Sequence, residues 1–265
     1  MEAPNLKAAP MRMVERFLGA NRIQKIYDEL KSKPFSTDDF FARAIELADI
    51  KVSSDPSAEA KIPREGPVLF IANHPFGIVD GLILCDLAVR TRGDFRILIN
   101  ALLCRDPDLD THFLPVDFGE SRKALARNLK SRREAQSTLH NNGTVLVFPS
   151  GCVATATRRL GFGKVEEFPW TTYVSKLVHS TQATTVPVYF HGRNSRLFHL
   201  ASWLGEGPRM TTLIHEARNK MGRRIELTLG EPITYECLEH LPNRKAVTAH
   251  LFESVMKLAQ ARSAN

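Results

Sequence analysis

The run Pro67-Val68-Leu69-Phe70-Ile71-Ala72, followed by Asn73-His74-Pro75-Phe76-Gly77-Ile78-Val79-Asp80, decides the fold. The first six residues are apolar and read as a buried strand. Pro75 and Gly77 then mark a turn, and Leu82-Ile83-Leu84 resumes the apolar run as part of a helix. A turn between such a strand and helix lies at the mouth of a sheet, where side chains face a cleft. His74 and Asp80 fall in that passage. An imidazole oriented by a nearby carboxylate takes a proton from a hydroxyl near neutral pH. The competing reading, a surface histidine beside an acidic turn residue, is the ordinary one in a chain with nine histidines.

Working outward, the pattern predicts strands over 68–72, 95–99, 113–116, 144–148, 185–190 and 224–229, and helices over 81–90, 121–140, 170–180 and 245–259. Such alternation belongs to an α/β fold, a mixed central sheet flanked by helices. Ahead of it, residues 11–32 carry Val14, Phe17, Leu18, Ile23, Ile26, Tyr27 and Leu30 at helical spacing, interspersed with Arg12, Arg16, Arg22 and Lys25. Two readings stand for this stretch: helices packed on the main domain, or an interfacial helix lying on a bilayer. Ser36-x-x-Asp39 is a helix start, continued through 40–48. Pro56, Pro63 and Gly66 mark 53–66 as a connector, dividing the chain into an N-terminal helical region, 1–55, and a main domain, 56–265.

The 265 residues are 43% hydrophobic and 25% charged, ordinary for a globular protein with a substantial core. No apolar stretch approaches the ~20 residues needed to span a bilayer. The start lacks a signal peptide's apolar core, so the expected location is cytoplasmic, with any membrane contact peripheral. Cys85, Cys104, Cys152 and Cys237 contain no Cys-x-x-Cys pair, which argues for reduced thiols and against a zinc site. Cys152 is either reactive or a tolerated small residue. The net charge of +7 suits anionic lipid, an acidic carrier protein or nucleic acid. The absence of interleaved aromatics and of any nucleic-acid motif excludes the last.

Four passages, in order, resemble the glycerolipid acyltransferases, and within them the hemolysin-type, ornithine-lipid-like subgroup. They are His74-Pro75-Phe76-Gly77 with Asp80, Ile97-Leu98-Ile99-Asn100 with Leu114-Pro115-Val116-Asp117, Phe148-Pro149-Ser150-Gly151, and Val186-Pro187-Val188-Tyr189 with His191-Gly192. Five residues separate His74 from Asp80, as in that subgroup. The resemblance implies a seven-stranded mixed sheet surrounded by helices. It further implies transfer of a fatty acyl group from an acyl-carrier protein or coenzyme A thioester to a hydroxyl of a lysolipid, at the cytoplasmic face of the membrane. His74 would be the general base and Asp80 its partner, the substrate hydroxyl standing where a triad has its serine. Asn73, Pro75, Phe76, Gly77, Asn100, Phe148, Pro149, Ser150 and Gly151 would shape the substrate site. No metal or bound cofactor is implied; the thioester is a co-substrate.

Phosphate-binding relatives often carry Glu at the third position of Phe-Pro-x-Gly and an arginine soon after. Here Ser150 stands there, and the nearest arginines are Arg158 and Arg159. A lyso-ornithine-type lipid therefore rivals a lysophospholipid as acceptor. The Pro-x-Gly turn would expose backbone amides for an oxyanion or phosphate. A serine hydrolase is disfavoured, since Gly-x-Ser-x-Gly is missing around Ser150. The other class of function is a peripheral lipid-binding protein with this fold and no transfer activity.

Three further features each have two readings. Residues 122–133 are strongly basic, with Leu125, Leu129 and Leu139 marking an apolar side; this is either a solvated helix face or a dock for the acyl donor. Phe162, Phe168, Trp170, Leu197, Phe198, Leu200, Trp203 and Leu204 either line an acyl slot or form ordinary core, the latter being the expectation. His191 either faces the cleft or makes a structural hydrogen bond, again the latter.

Overall fold

The structure, a computed structural model, describes residues 20–32, 36–104, 106–157 and 163–260. In chain order it runs α1 (Ala20–Lys31), α2 (Thr37–Leu47), β1 (Lys51–Ser53), α3 (Pro56–Glu59), β2 (Val68–Ala72), α4 (Ile78–Arg92), β3 (Arg96–Asn100) and β4 (Phe113–Val116). There follow α5 (Arg122–His140), β5 (Thr144–Val147), β6 (Thr155–Ala156), β7 (Val165–Glu166), α6 (Tyr173–Thr181), β8 (Thr184–Phe190), α7 (Arg196–Leu204), α8 (Glu206–Lys220), β9 (Arg224–Leu229) and α9 (Arg244–Lys257).

Seven strands form one sheet in the order β1-β9-β8-β2-β5-β3-β4. Its neighbours are parallel except β8 and β9, which pair antiparallel. β2 is central, and its five residues are fully buried. Alternation along it feeds both faces. Val68, Phe70 and Ala72 join the core beneath α1, α2 and α4, while Leu69 and Ile71 join the core beneath α5, α6 and α9. At roughly 1.5–3 kcal/mol for each large side chain buried, these layers fix the strand register. Val68 pairs with both Thr144 and Thr184, so β2, β5 and β8 start together. Their carboxyl ends consequently release three turns at one edge of the sheet.

The sequence-predicted strands 68–72, 113–116 and 224–229 match in full, and the other three differ by a residue at one or both ends. Helix α4 begins three residues earlier than expected, because Asp80 caps it from within. Helices α7 and α8 carry no expectation at all: Gly205 and Pro208 interrupt the periodicity between and within them.

β1 was read as the end of the helical region and the start of a connector, yet it pairs with β9 at the sheet edge. Leu30, Phe40, Phe41 and Ile45 share the core of β2 and α4. Asp106 receives the Tyr27 hydroxyl at 2.9 Å and the Lys31 ammonium at 2.8 Å, tying α1 to the segment before β4. The described residues before 56 thus pack against the same core, with Arg22 and Lys25 exposed. Val14, Phe17, Leu18, Arg12 and Arg16 lie outside the described residues. Among the described residues no helix is long and apolar enough to cross a membrane.

Candidate active site

The turn after β2 is held almost entirely by one carboxylate. Asp80, at the third position of α4 and fully buried, accepts from Phe76 N–H at 2.9 Å and Gly77 N–H at 3.0 Å. It also faces His74 Nδ1 at 2.9 Å. Five residues separate His74 from Asp80, and the chain turns between them at Gly77, whose φ is +88°. A side chain there would also place its Cβ 2.7 Å from Leu213 Cδ2. Glycine is needed at this position on both counts. The imidazole, largely buried, stacks on the Phe148 ring with centroids 4.0 Å apart. With Nδ1 engaged by the carboxylate, Nε2 is the nitrogen left for chemistry.

His74 lines a cavity of about 1090 Å³ that opens at this edge. Its apolar walls come from Phe40, Phe41, Leu82, Ile97, Leu109 and Phe113. Its polar side carries Asn128, Arg132, Ser150, Thr171, Glu206 and Arg209. A slot of this size and lining accommodates a long hydrocarbon, with the histidine beside it.

Of the sequence-predicted site residues, His74, Gly77, Asn100, Phe148, Pro149, Ser150 and Gly151 line the cavity together. Asn73, Pro75 and Phe76 do not. Asn73 turns the other way and exchanges two hydrogen bonds with the Phe190 backbone, at 3.0 and 2.7 Å, pinning β2 to β8. Phe76 is buried against Gly192, where any side chain would clash with its ring at 2.6 Å. Lys220 Nζ lies 4.8 Å from the Phe76 ring centre, near the buried Glu216. Asn100 Oδ1 accepts from Leu102 N–H at 2.9 Å.

In the Phe148-Pro149-Ser150-Gly151 turn, Gly151 N–H is spent on Phe148 C=O at 2.9 Å, so it is not a free oxyanion donor. Ser150 Oγ donates to Glu167 at 2.7 Å, and the other Glu167 oxygen accepts His74 N–H at 3.1 Å. Burial raises the Glu167 carboxyl above its ordinary pKa, against the opposing hydrogen bonds from Ser150 and the His74 amide. Glu167 went unnoticed in the sequence. The signal available was Ser150, whose hydroxyl takes a carboxylate partner from 17 residues away. Arg158 and Arg159 lie outside the described residues; among the described residues the arginines lining the cavity are Arg132 from α5 and Arg209 from α8.

The apolar residues expected to be core or acyl slot divide: Trp170 packs, partly buried, on the core beneath α5, α6 and α9. Phe198 is buried in a small cluster with Val153 and Leu213, but Leu197, Trp203 and Leu204 are exposed, Leu204 by 72%. None of Phe168, Trp170, Leu197, Phe198, Leu200, Trp203 or Leu204 lines the cavity, and Phe162 lies outside the described residues. α7 is a nine-residue helix with room for one buried stripe, at Phe198 and Ala201. On α5 the buried stripe is Ala124, Ser131, Ala135 and Leu139, so Leu125 and Leu129 face outward, one step round the helix. His191 makes the structural bond, its Nε2 lying 2.8 Å from Thr228 Oγ1.

A histidine–carboxylate pair beside an apolar slot, at the carboxyl edge of a mostly parallel sheet, is architecture suited to moving an acyl group onto a hydroxyl. The fold agrees with that of the solved 1-acyl-sn-glycerophosphate acyltransferase PlsC from Thermotoga maritima, with a TM-score of 0.56 at 13% identity over 98% of both chains. A family profile described as acyltransferase matches residues 5–243, and the protein belongs to that family of enzymes. It is 29% identical over 209 residues to the lyso-glycine lipid O-acyltransferase of Phocaeicola vulgatus, covering 76% of this chain and 71% of the relative. The protein of the same name from Bacteroides thetaiotaomicron is 25% identical over 210 residues, covering 76% and 72%.

Proposed function

We propose that the protein acylates a hydroxyl of an amino-acid lysolipid, drawing the fatty acyl group from an acyl-carrier protein or coenzyme A thioester. The observation that carries this reading is the 2.9 Å contact between His74 Nδ1 and the buried Asp80 beside the apolar cavity. Its chemistry follows from that contact. Asp80 holds the proton on Nδ1, Nε2 takes the proton of the acceptor hydroxyl, and the oxygen attacks the thioester carbonyl. The tetrahedral adduct collapses as the carbon–sulfur bond breaks, and the imidazolium returns its proton to the thiolate. An ester and a free thiol result, with no acyl-enzyme.

The names of the two relatives support an amino-acid headgroup, and Ser150 in place of glutamate counts against a glycerol phosphate. The basic outer face of α5, with Arg132 at the cavity, suits the acidic carrier or the phosphates of coenzyme A. Peripheral attachment at the cytoplasmic face of the membrane completes the reading, because both substrates' chains enter from lipid or from a carrier. A radiolabelled acyl thioester offered with a panel of lysolipids tests it. Transfer should occur and should fall at least ~100-fold in His74→Ala. A near-normal rate in that variant rejects His74 as base, and lipid binding without transfer in the wild type rejects the enzyme.

A further inference from the structure

Arg209 has no role in the reaction described above. It enters the cavity wall from the first turns of α8, and its Nη2 donates to the Val153 carbonyl. The next amide along, Ala154 N–H, donates to the His74 carbonyl at 2.8 Å. The guanidinium therefore rests on the same short segment that holds the histidine's backbone. The Phe168 and Phe198 ring centres lie 5.5 and 5.7 Å from its Cζ, which strips water from two sides. Burial lowers its pKa, opposed by the fields of Cys152 and Glu206. Among the described residues, no carboxylate forms an ion pair with it. A half-buried cation beside a substrate cavity, with no ion-pair partner among the described residues, is placed to take an anion from a ligand.

We propose that Arg209 binds the headgroup carboxylate of the acceptor lysolipid and so sets the enzyme's preference for amino-acid headgroups. The assignment rests on the proposed acylation of a lysolipid hydroxyl. It goes further by naming the anion and the residue that reads it. A planar guanidinium with one N–H already committed offers its remaining fork to a planar carboxylate. A phosphate dianion would call for more positive charge than the described residues of the wall provide. Among the described residues lining the cavity, the only other cation is Arg132, on α5 and engaged over the Tyr173 ring. Glu206 lines the same side and would repel a second negative charge.

The test compares three acceptors with one acyl thioester: N-(3-hydroxypalmitoyl)glycine, its methyl ester, and lysophosphatidate. The wild type should prefer the free acid to the ester by roughly 10- to 100-fold in kcat/KM, chiefly through KM, the range of a charge-assisted hydrogen-bonded pair. In Arg209→Gln that ratio should fall to about threefold or less, with Arg209→Lys between the two. The wild-type ratio requires no variant, so a poorly folded Arg209→Gln does not rescue the idea. Transfer with no preference for the acid, a preference for lysophosphatidate, or equal loss on acid and ester in Arg209→Gln each overturns the assignment alone. No transfer to any acceptor overturns the lysolipid reading beneath it as well.

Discussion

The two sides of the cavity are built on different principles. On the sheet side, the turn after β2 closes on itself: Asp80 gathers two amides and the His74 ring within seven residues of chain. On the other side, Arg209 lines the cavity from α8, and Glu167, just after β7, reaches the cavity-lining Ser150, both far along the sequence. The first side can be exact because few torsions separate its parts. The second meets the first through the Glu167 bond to the His74 amide, the Ala154 bond to the His74 carbonyl and the packing of Leu213 from α8 against Gly77. The histidine–carboxylate pair is local in sequence, whereas the rest of the wall is assembled from distant segments.

That contrast can be broken most directly at Asp80. Asp80→Asn should lower kcat by roughly 100- to 10,000-fold, because an amide does not hold the required tautomer; steady-state assays of purified protein read this. If the loss is below tenfold, the local side is not where the chemistry resides. Gly77→Ala should cost about 2–4 kcal/mol in urea unfolding, from the positive φ and the contact with Leu213. An unchanged midpoint would mean the turn adapts more freely than its hydrogen bonds suggest. Asn73→Ala should lower stability by about 2 kcal/mol, two buried bonds being lost, while turnover per folded molecule stays within about threefold. A selective loss of turnover would return Asn73 to the substrate site.

The smallest effect sharpens the distant side. Because burial raises the Glu167 pKa, the folded state keeps its proton where the unfolded chain has released it. Stability from this group therefore falls as pH rises from its ordinary value of 4.5 through the folded value. Glu167→Gln lacks that decline, so its melting temperature relative to wild type should improve between pH 4 and pH 7. Parallel melting curves for the two proteins would remove Glu167 from the buried, titrating role.

Much of the sheet was legible because its strands are uninterrupted apolar runs, and the His74–Asp80 pair was legible because its residues are close in the chain. Asn73 adjoins His74 in the chain, but just past the end of β2 its side chain bonds to the Phe190 backbone and does not line the cavity. Glu167 and Arg209 left no local signal, because each lies far along the chain from His74. The exposed Leu197, Trp203 and Leu204 were taken for core because composition alone does not say which stripe of a short helix turns inward.

Asp80 is both the clasp of the turn and the partner of the ring. A refolding chain therefore gains a competent imidazole only when the clasp shuts. Recovery of catalysis after dilution from denaturant would report closure of that one loop, separately from the growth of helix seen by circular dichroism.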